Sequence, residues 1–555
     1  MTETSKGWLA GFYAAARTAR LESAGWITAA ASLLWLPQAA LVAAVIAGLL
    51  DPASAQVGPL AGTAGFAALG LVRAGLEVLA ARWLMEGAEA ALSLARRDLV
   101  AAETARAPKD PSRPAAAAVA ALASEKLALL GPWLIRLRPA MLRARVVPLA
   151  ILAAALPLSW VVVLIFVVSG PLIPVFMALV GMAAKEASAR QLAEVGTLNT
   201  LLLERLQALV DIRLLAASSR VVEGFRAAAE DLRARTMAVL RLAFLSSAVL
   251  ELFSAIGVAM VAVYVGFHLL GALGWGSWGG LSVGEGIFLI LLAPAFFEPL
   301  RDMAAAWHDK AAAEAVAEEM AALEAGRGAL MLGAGAAVAP LPGAPEIALR
   351  GVAVQIAGRW LRLPDLTVAP GEALALTGPS GVGKSTALAL IAGLQAPDQG
   401  EIRVAGQPLG PDTADAWRAR LGWLPQVPHF LAGSLRTTLS AGPVAPAAMA
   451  AALRLARADG VVARLPRGLL ARLGETGAGV SGGEARRLML ARVALAAPQV
   501  VLADEPTADL DEETATEVTE ALLALAAGGA TLIVATHDAR LAARMGRVVA
   551  LEGAV

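Results

Sequence analysis

The residues best suited to chemistry form the string Gly378-Pro379-Ser380-Gly381-Val382-Gly383-Lys384-Ser385-Thr386, which follows the apolar run 373–376 and leads into a helical segment at 387–392. Glycines at this spacing let backbone N–H groups curl around phosphates, and the helix N-terminus adds a favourable dipole. Lys384 brings a point charge to the phosphate oxygens, and the Ser385 hydroxyl is a ligand for Mg2+. The strand before and the helix after are the context that a phosphate-binding loop needs. A second site follows from Val500-Val-Leu-Ala-Asp504-Glu505, a buried strand ending in two carboxylates. Asp504 suits Mg2+ held through water, and Glu505 is placed to polarise an attacking water as general base. A solvated acidic pair at a strand end is the plain alternative.

The remaining motifs resemble those of the ABC ATPase family, in that family's order. Val480-Ser481-Gly482-Gly483-Glu484, followed by a helix over 486–495, is similar to its signature sequence. The resemblance implies that Ser481, Gly482 and Gly483 bind the γ-phosphate of a nucleotide held by the opposite subunit. Gln426 in Leu424-Pro-Gln resembles the Q-loop, which senses Mg2+ and touches the membrane domain. Ala508-Asp509-Leu510-Asp511 resembles the D-loop, and His537 after the strand 532–535 resembles the switch histidine. His429 fits none of these and reads as a loop residue. Two departures stand out. Where the family stacks adenine on an aromatic residue, this chain has Val354-Gln-Ile356, so adenine rests on Ile356, or on Trp360 if the loop shifts. Val480 and Glu484 replace the usual Leu and Gln, while the serine and both glycines survive.

The elements that must carry these motifs are unequal. At 555 residues the chain needs two or more domains. Its residues are 58% hydrophobic and 17% charged, against roughly half and a quarter in average soluble proteins. That excess belongs in lipid. Net charge is zero, which gives no reason to expect a nucleic-acid partner, and the absence of cysteine excludes disulfides, thiolate metal sites and cysteine nucleophiles. Four scattered histidines form no metal motif.

Six stretches are long and apolar enough to span a bilayer: 26–50, 58–81, 141–158, 160–183, 243–268 and 282–304. The first reads as a retained membrane helix, not a signal peptide. Only Leu158, Ser159 and Trp160 are left to turn the chain between the third and fourth, and Pro294 predicts a kink in the sixth. The three short connectors hold no Lys or Arg, whereas the two long ones hold many, including Arg96, Arg97 and Arg106 in the first and Arg205, Arg213 and Arg226 in the second. Positive charge marks the cytoplasmic side, so both termini and both long connectors are expected there. Three- and four-residue apolar spacing between 182 and 241 predicts helices that continue the spans below the bilayer. Residues 108–114 are rich in proline and predict a helix break. The expected organisation is a six-span α-helical membrane domain over 1–325, a Gly/Ala/Pro-rich linker over 326–345 and an α/β ATP-binding domain over 346–555.

Three strings outside the ATPase motifs narrow the resemblance: Gly170-Pro-Leu-Ile-Pro-Val-Phe-Met-Ala-Leu-Val-Gly-Met182, Arg235-Thr-Met-Ala-Val-Leu-Arg-Leu-Ala-Phe-Leu-Ser-Ser247 and Leu292-Ala-Pro-Ala-Phe-Phe-Glu-Pro-Leu-Arg-Asp302. They resemble the CydD family of cytochrome bd assembly transporter subunits, and the resemblance covers nearly the whole chain. It implies ATP and Mg2+ as cofactors, a heterodimer with a CydC-like half-transporter in a bacterial inner membrane, and export of cysteine and glutathione or handling of haem. With one ATPase domain per chain, a partner is needed to complete each ATP site in this family. Arg73, inside the second span, either faces a polar cavity that takes cargo carboxylates or haem propionates, or forms a structural pair with Glu251 of the fifth. Tyr264 reads as an aromatic anchor at the outer interface, and His308 as a surface or packing residue. Another half-exporter for lipid, peptide or drug is the competing reading. A soluble DNA-repair ATPase is excluded by the spans, and an importer fed by a binding protein usually has its membrane and ATPase parts on separate chains.

Overall fold

The computed structural model describes residues 3–51, 57–108, 110, 112–176, 205, 208–326, 328–356, 359–440, 442–474, 477 and 479–551. The chain divides into two compact units, one of Met1–Val100 with Ala115–Ala325 and one of Ala101–Pro114 with Gly326–Val555.

The first unit is helical. Among the described residues, five helices are long and apolar enough to cross a membrane: Arg20–Leu50, Pro59–Thr104, Ala118–Ala155, Ala248–Leu269 and Val283–Ala325. The expected fourth span is represented by the shorter apolar helix Trp160–Phe176, and its remaining residues, 177–183, lie outside the described residues, as does most of the segment 182–208. The helix Pro59–Thr104 is 46 residues long and Ser218–Leu269 is 52. At 1.5 Å per residue these run roughly 70 to 80 Å, more than twice the ~30 Å hydrocarbon core. The turn between the third and fourth spans differs from the expected one: it occupies residues 156–159, and Trp160 already belongs to the next helix.

The reason lies in the connectors that follow the third and fifth apolar helices, which knit together by hydrogen bonds. Ser159 Oγ donates to the Gly276 carbonyl at 2.7 Å, and Trp278 Nε1 donates to the Leu156 carbonyl at 2.8 Å. Tyr264 is buried there, not an interfacial anchor, with its hydroxyl donating to the Trp275 carbonyl at 3.2 Å. A phenol whose O–H meets a turn carbonyl and whose oxygen accepts from Ser159 Oγ is satisfied inside the protein and has no need of the headgroups.

The sixth-span helix begins with a capping box, Ser282 and Glu285 each bonding the other's backbone N–H. Its buried face includes Leu289, Leu292, Ala293, Phe296, Phe297 and Leu300, the three- and four-residue spacing of one helix side. Phe296 stacks on Phe166 with centroids 4.4 Å apart, and Phe297 meets both rings edge to face. Gly257 of the fifth-span helix lets the Phe297 ring lie directly on its backbone, in the space a Cβ would occupy. Outside this core, Leu71, Val72, Leu164, Val168, Leu252 and Val263 are exposed, as lipid-facing side chains are.

The second unit is α/β. An antiparallel sheet joins β1 (Ile347–Ile356), β2 (Arg359–Arg362), β3 (Leu366–Val368), β5 (Gln399–Val404) and β6 (Gln407–Pro408). A parallel sheet runs in the order β10-β4-β9-β8-β7, where β4 is Ala373–Thr377, β7 Leu421–Leu424, β8 Val500–Asp504, β9 Thr531–Ala535 and β10 Arg547–Ala550. Every residue of β8 and β9 is buried, and apart from Asp504 and Thr531 the two strands are apolar, as parallel strands covered on both faces tend to be. The stretch read as a linker packs onto this unit. The amides of Ala334, Gly335 and Ala336 donate to the Asp415 carboxylate, and Leu341 N donates to the Ala416 carbonyl. Residues 101–114 join the same unit through Ala107 N to the Ala329 carbonyl and Met331 N to the Ala105 carbonyl. Beside them buried Arg106 pairs with Glu103 at 3.1 Å and Asp110 at 3.7 Å.

Candidate functional site

The candidate phosphate-binding site is built at the C-terminal ends of the parallel strands. From β4 the chain passes through the glycine loop into the helix Lys384–Ile391. Gly378, Gly381 and Gly383 all have positive φ, at 144°, 82° and 103°. Two of them also sit where a side chain has no room: a Cβ at Gly378 would lie 2.8 Å from the Leu551 carbonyl oxygen, and one at Gly383 would overlap Leu361. The loop's glycines are therefore set both by its backbone and by its neighbours.

Lys384 is buried, and its Nζ donates to the carbonyls of Gly378 at 2.8 Å and Pro379 at 3.2 Å. The ammonium thus arches back over the loop it starts from. Ser385 Oγ donates to Asp504 Oδ1 at 2.6 Å across the sheet. Glu505 lies just beyond β8 with φ of +46°, a region that side chains disfavour. Two hydrogen bonds hold it there: its N–H donates to the Ala535 carbonyl at 2.8 Å, and Arg486 donates to its carbonyl at 2.7 Å. Its carboxylate is bracketed by Lys384 Nζ at 3.4 Å and by His537 Nδ1 at 2.8 Å. Five expected site residues, Lys384, Ser385, Asp504, Glu505 and His537, therefore converge.

Others stand apart. Gln426 follows β7, the neighbour of β8, and is exposed; among the described residues no hydrogen bond links it to the Ser385–Asp504 pair. Ser481 caps the helix Gly482–Leu495, its Oγ accepting from the Glu484 N–H while Glu484 accepts from the Ser481 N–H at 2.8 Å. These bonds from Ser481, with Arg464 adding an ion pair, hold the Glu484 carboxyl below the usual carboxylate range. The residue that replaces the family's glutamine thus closes a capping box. Asp509 has φ of +60°, and Asp511 caps the helix Glu512–Ala527. In the β1–β2 hairpin Val354 pairs with Leu361 and Ile356 with Arg359, so Ile356 shares a face with Leu361, the side chain lying against Gly383. Trp360, opposite Gln355, is on the other face.

In the membrane unit, Arg73 and Glu251 take different partners. Arg73 Nε donates to Glu77 Oε1 at 2.9 Å, one helical turn away, and Arg301 donates to Glu251 at 2.7 Å. Of the two alternatives for Arg73, the pair with Glu251 is not formed, because each finds a closer opposite charge. The i,i+4 spacing of Arg73 and Glu77 is the sequence signal that identifies the real partner. Arg73 does line a cavity of about 350 Å3, together with Ser32, Trp35, Arg143 and Glu298. Arg486 in the ATPase unit is likewise absent from the sequence reading. It is one of two adjacent arginines on a helix, and only burial distinguishes it. Burial also lowers its pKa from the ordinary value, against the pull of Asp509, Asp504 and Glu505.

Comparison with known proteins agrees with this geometry. Residues 361–508 match the family model described as "ABC transporter", and residues 139–300 match "ABC transporter transmembrane region". The chain is 38% identical over 411 residues to the transport ATP-binding protein AarD of Providencia stuartii, covering 72% of this chain and 69% of that one. It is 36% identical over 427 residues to the glutathione/L-cysteine transport system ATP-binding/permease protein CydD of Escherichia coli, covering 76% and 72%. A bacterial Atm1-family ABC exporter solved with ATP bound shares the fold, with a TM-score of 0.70 at 21% identity over 96% of this chain and 93% of that one. A phosphate cradle facing paired carboxylates, joined to a bundle of apolar helices and matched along most of its length by such relatives, places this multi-pass ATPase in the CydD-type family of ABC exporters.

Proposed function

We propose that this chain is one half of a heterodimeric exporter that moves cysteine and glutathione outward across a bacterial cytoplasmic membrane in support of cytochrome bd assembly, with both termini and the ATPase unit on the cytoplasmic side. The partner is a CydC-like half-transporter. The observation that carries the ATPase part is the convergence of Lys384, Ser385, Asp504, Glu505 and His537 on one loop. The cargo is drawn from the related CydD protein, whose name records glutathione and L-cysteine.

ATP binds with its phosphates in the cradle of Gly378, Pro379, Ser380, Gly381, Val382 and Gly383, and Lys384 turns from its two carbonyls to the phosphate oxygens. Thr386 continues the helix behind the loop. Adenine rests on Ile356, on the Leu361 face of the hairpin, and Trp360 is not its platform. The Ser385 hydroxyl and Asp504 carboxylate, 2.6 Å apart, are hard oxygen donors that fit Mg2+, with Gln426 approaching on nucleotide binding. When bound, Mg2+ neutralises phosphate charge. Glu505 takes the proton of the attacking water as its oxygen bonds to the γ-phosphorus and ADP leaves. His537 holds the Glu505 carboxylate and positions it. The partner's signature segment covers the γ-phosphate, as Ser481, Gly482 and Gly483 of this chain cover the partner's, with Asp509 lining the contact between them.

Haem handling is a second reading, favoured by Arg73 and Arg143 lining one cavity, where they would suit propionates. ATPase turnover of the reconstituted pair, compared with cysteine, glutathione and haem, separates the two. Stimulation by both thiols and not by haem is expected. Stimulation by haem alone would reject the thiol reading.

A further inference from the structure

The cavity in the membrane unit collects Ser32 and Trp35 from the first span, Arg73 from the second, Arg143 from the third, and Pro294, Glu298 and Pro299 from the sixth. Its charges are unevenly satisfied. Arg73 is paired with Glu77, and Arg143 with Asp302 at 2.5 Å. Glu298 is exposed and has no ion-pair or hydrogen-bond partner among the described residues, and Arg143 Nε is buried without a hydrogen-bond acceptor. An ionisable group at membrane depth is costly and normally serves a polar pathway. Here one anion and one N–H donor are left over, facing the same space.

The sixth helix adds further acceptors. Pro294 and Pro299 lack the N–H that would bond the carbonyls of Ile290 and Ala295, four residues earlier, and both of those residues line the cavity. Two backbone carbonyls therefore lose their usual donors beside the Glu298 carboxylate. Such a set suits a primary ammonium, which offers three N–H groups. Glu298 and Asp302 lie one turn apart on the same side of the helix, about 6 Å along its axis, and Asp302 fixes Arg143.

We infer that this cavity binds an α-amino-acid head group, its ammonium on Glu298 and the Ile290 and Ala295 carbonyls, its carboxylate on Arg143 and Arg73. The inference rests on the thiol-export reading and deepens it. Free cysteine and the γ-glutamyl end of glutathione share this head group, and haem lacks it. Glu298 thus selects for a zwitterion where two arginines alone would accept any anion.

The test is competition against ATP-driven uptake of labelled cysteine by inside-out vesicles containing the reconstituted pair, under reducing conditions. Unlabelled cysteine, 3-mercaptopropionate, which lacks the ammonium, and cysteamine, which lacks the carboxylate, serve as probes. Each truncated probe should compete about tenfold to a hundredfold less well than cysteine, the loss expected for one charge-assisted hydrogen bond. Glu298→Gln should raise the half-maximal cysteine concentration by a similar factor and abolish the preference for cysteine over 3-mercaptopropionate. Equal competition by all three probes overturns the head-group inference while leaving thiol export standing, and it needs no variant. An unchanged cysteine requirement in Glu298→Gln does the same. Absence of any thiol uptake by the wild-type pair rejects the export reading and this inference with it.

Discussion

Glu505 occupies the most constrained point of the ATP site, with a left-handed backbone pinned by Ala535 and Arg486 and a carboxylate between Lys384 and His537. Glutamine keeps the side chain's size and shape and removes the carboxylate that the proposed mechanism uses as base. Glu505→Gln should bind ATP with unchanged affinity and lose hydrolysis at its own site by roughly a hundredfold to ten-thousandfold; nucleotide binding and single-turnover phosphate release check the two halves separately. A pH effect follows from Glu484. Hydrogen bonds from Ser481 hold its carboxyl below the ordinary range in the folded chain. Its contribution is therefore complete above about pH 4.3, the unperturbed value, and is lost as pH falls through the lowered one. Hydrogen exchange at the start of the helix Gly482–Leu495 should accelerate below that point, by about 1 kcal/mol or less of opening free energy. Glu484→Gln should remove this dependence. At this scale the glycine loop, Asp504, Glu505 and His537 were legible because their order and strand context are set by phosphate chemistry. Arg486 was not, since nothing in a run of polar and apolar helix residues shows which arginine points inward.

Among the elements, the sixth-span helix does most to organise the membrane unit. It carries the Phe296–Phe297 pair into the core, and its two prolines face the cavity. The close approach of Phe297 to Gly257 sets the spacing of the fifth and sixth spans. Gly257→Ala should force the ring or the helix aside at a cost of about 1–3 kcal/mol, read as a lower thermal midpoint of the protein in detergent, whereas Gly266→Ala, with nothing nearby, should be neutral. Six spans could be read from length and apolar content, because lipid imposes both, and five of them are long apolar helices among the described residues. Their contacts could not. Tyr264 looked like an anchor from its position near a span end, and only the folded turn reveals the Trp275 carbonyl that takes its hydroxyl. Glu251 was one of two alternatives for Arg73, as the nearest acid on another apolar stretch. The partner Arg73 takes, Glu77, needs no long-range contact at all.

Across the whole chain, two units of different chemistry are joined by stretches that composition describes poorly. The segment 326–345 has the texture of a free linker, yet Asp415 gathers three of its backbone amides and residues 101–114 add to the same unit around buried Arg106. Gly, Ala and Pro content reports local flexibility and says nothing about a carboxylate elsewhere that satisfies the amides. The family's shared ATP sites require a second chain, so turnover should depend on the partner half-transporter and not on this chain's concentration alone. The central claim is that phosphate chemistry at Glu505 drives solute across the membrane through these helices. It is tested most directly by uptake of labelled glutathione into inside-out vesicles containing the reconstituted pair, with wild-type chain or Glu505→Gln. ATP-dependent accumulation in the wild type that falls by at least about tenfold in the variant is the expected result; accumulation that needs no ATP, or that is equal in the two, would contradict it.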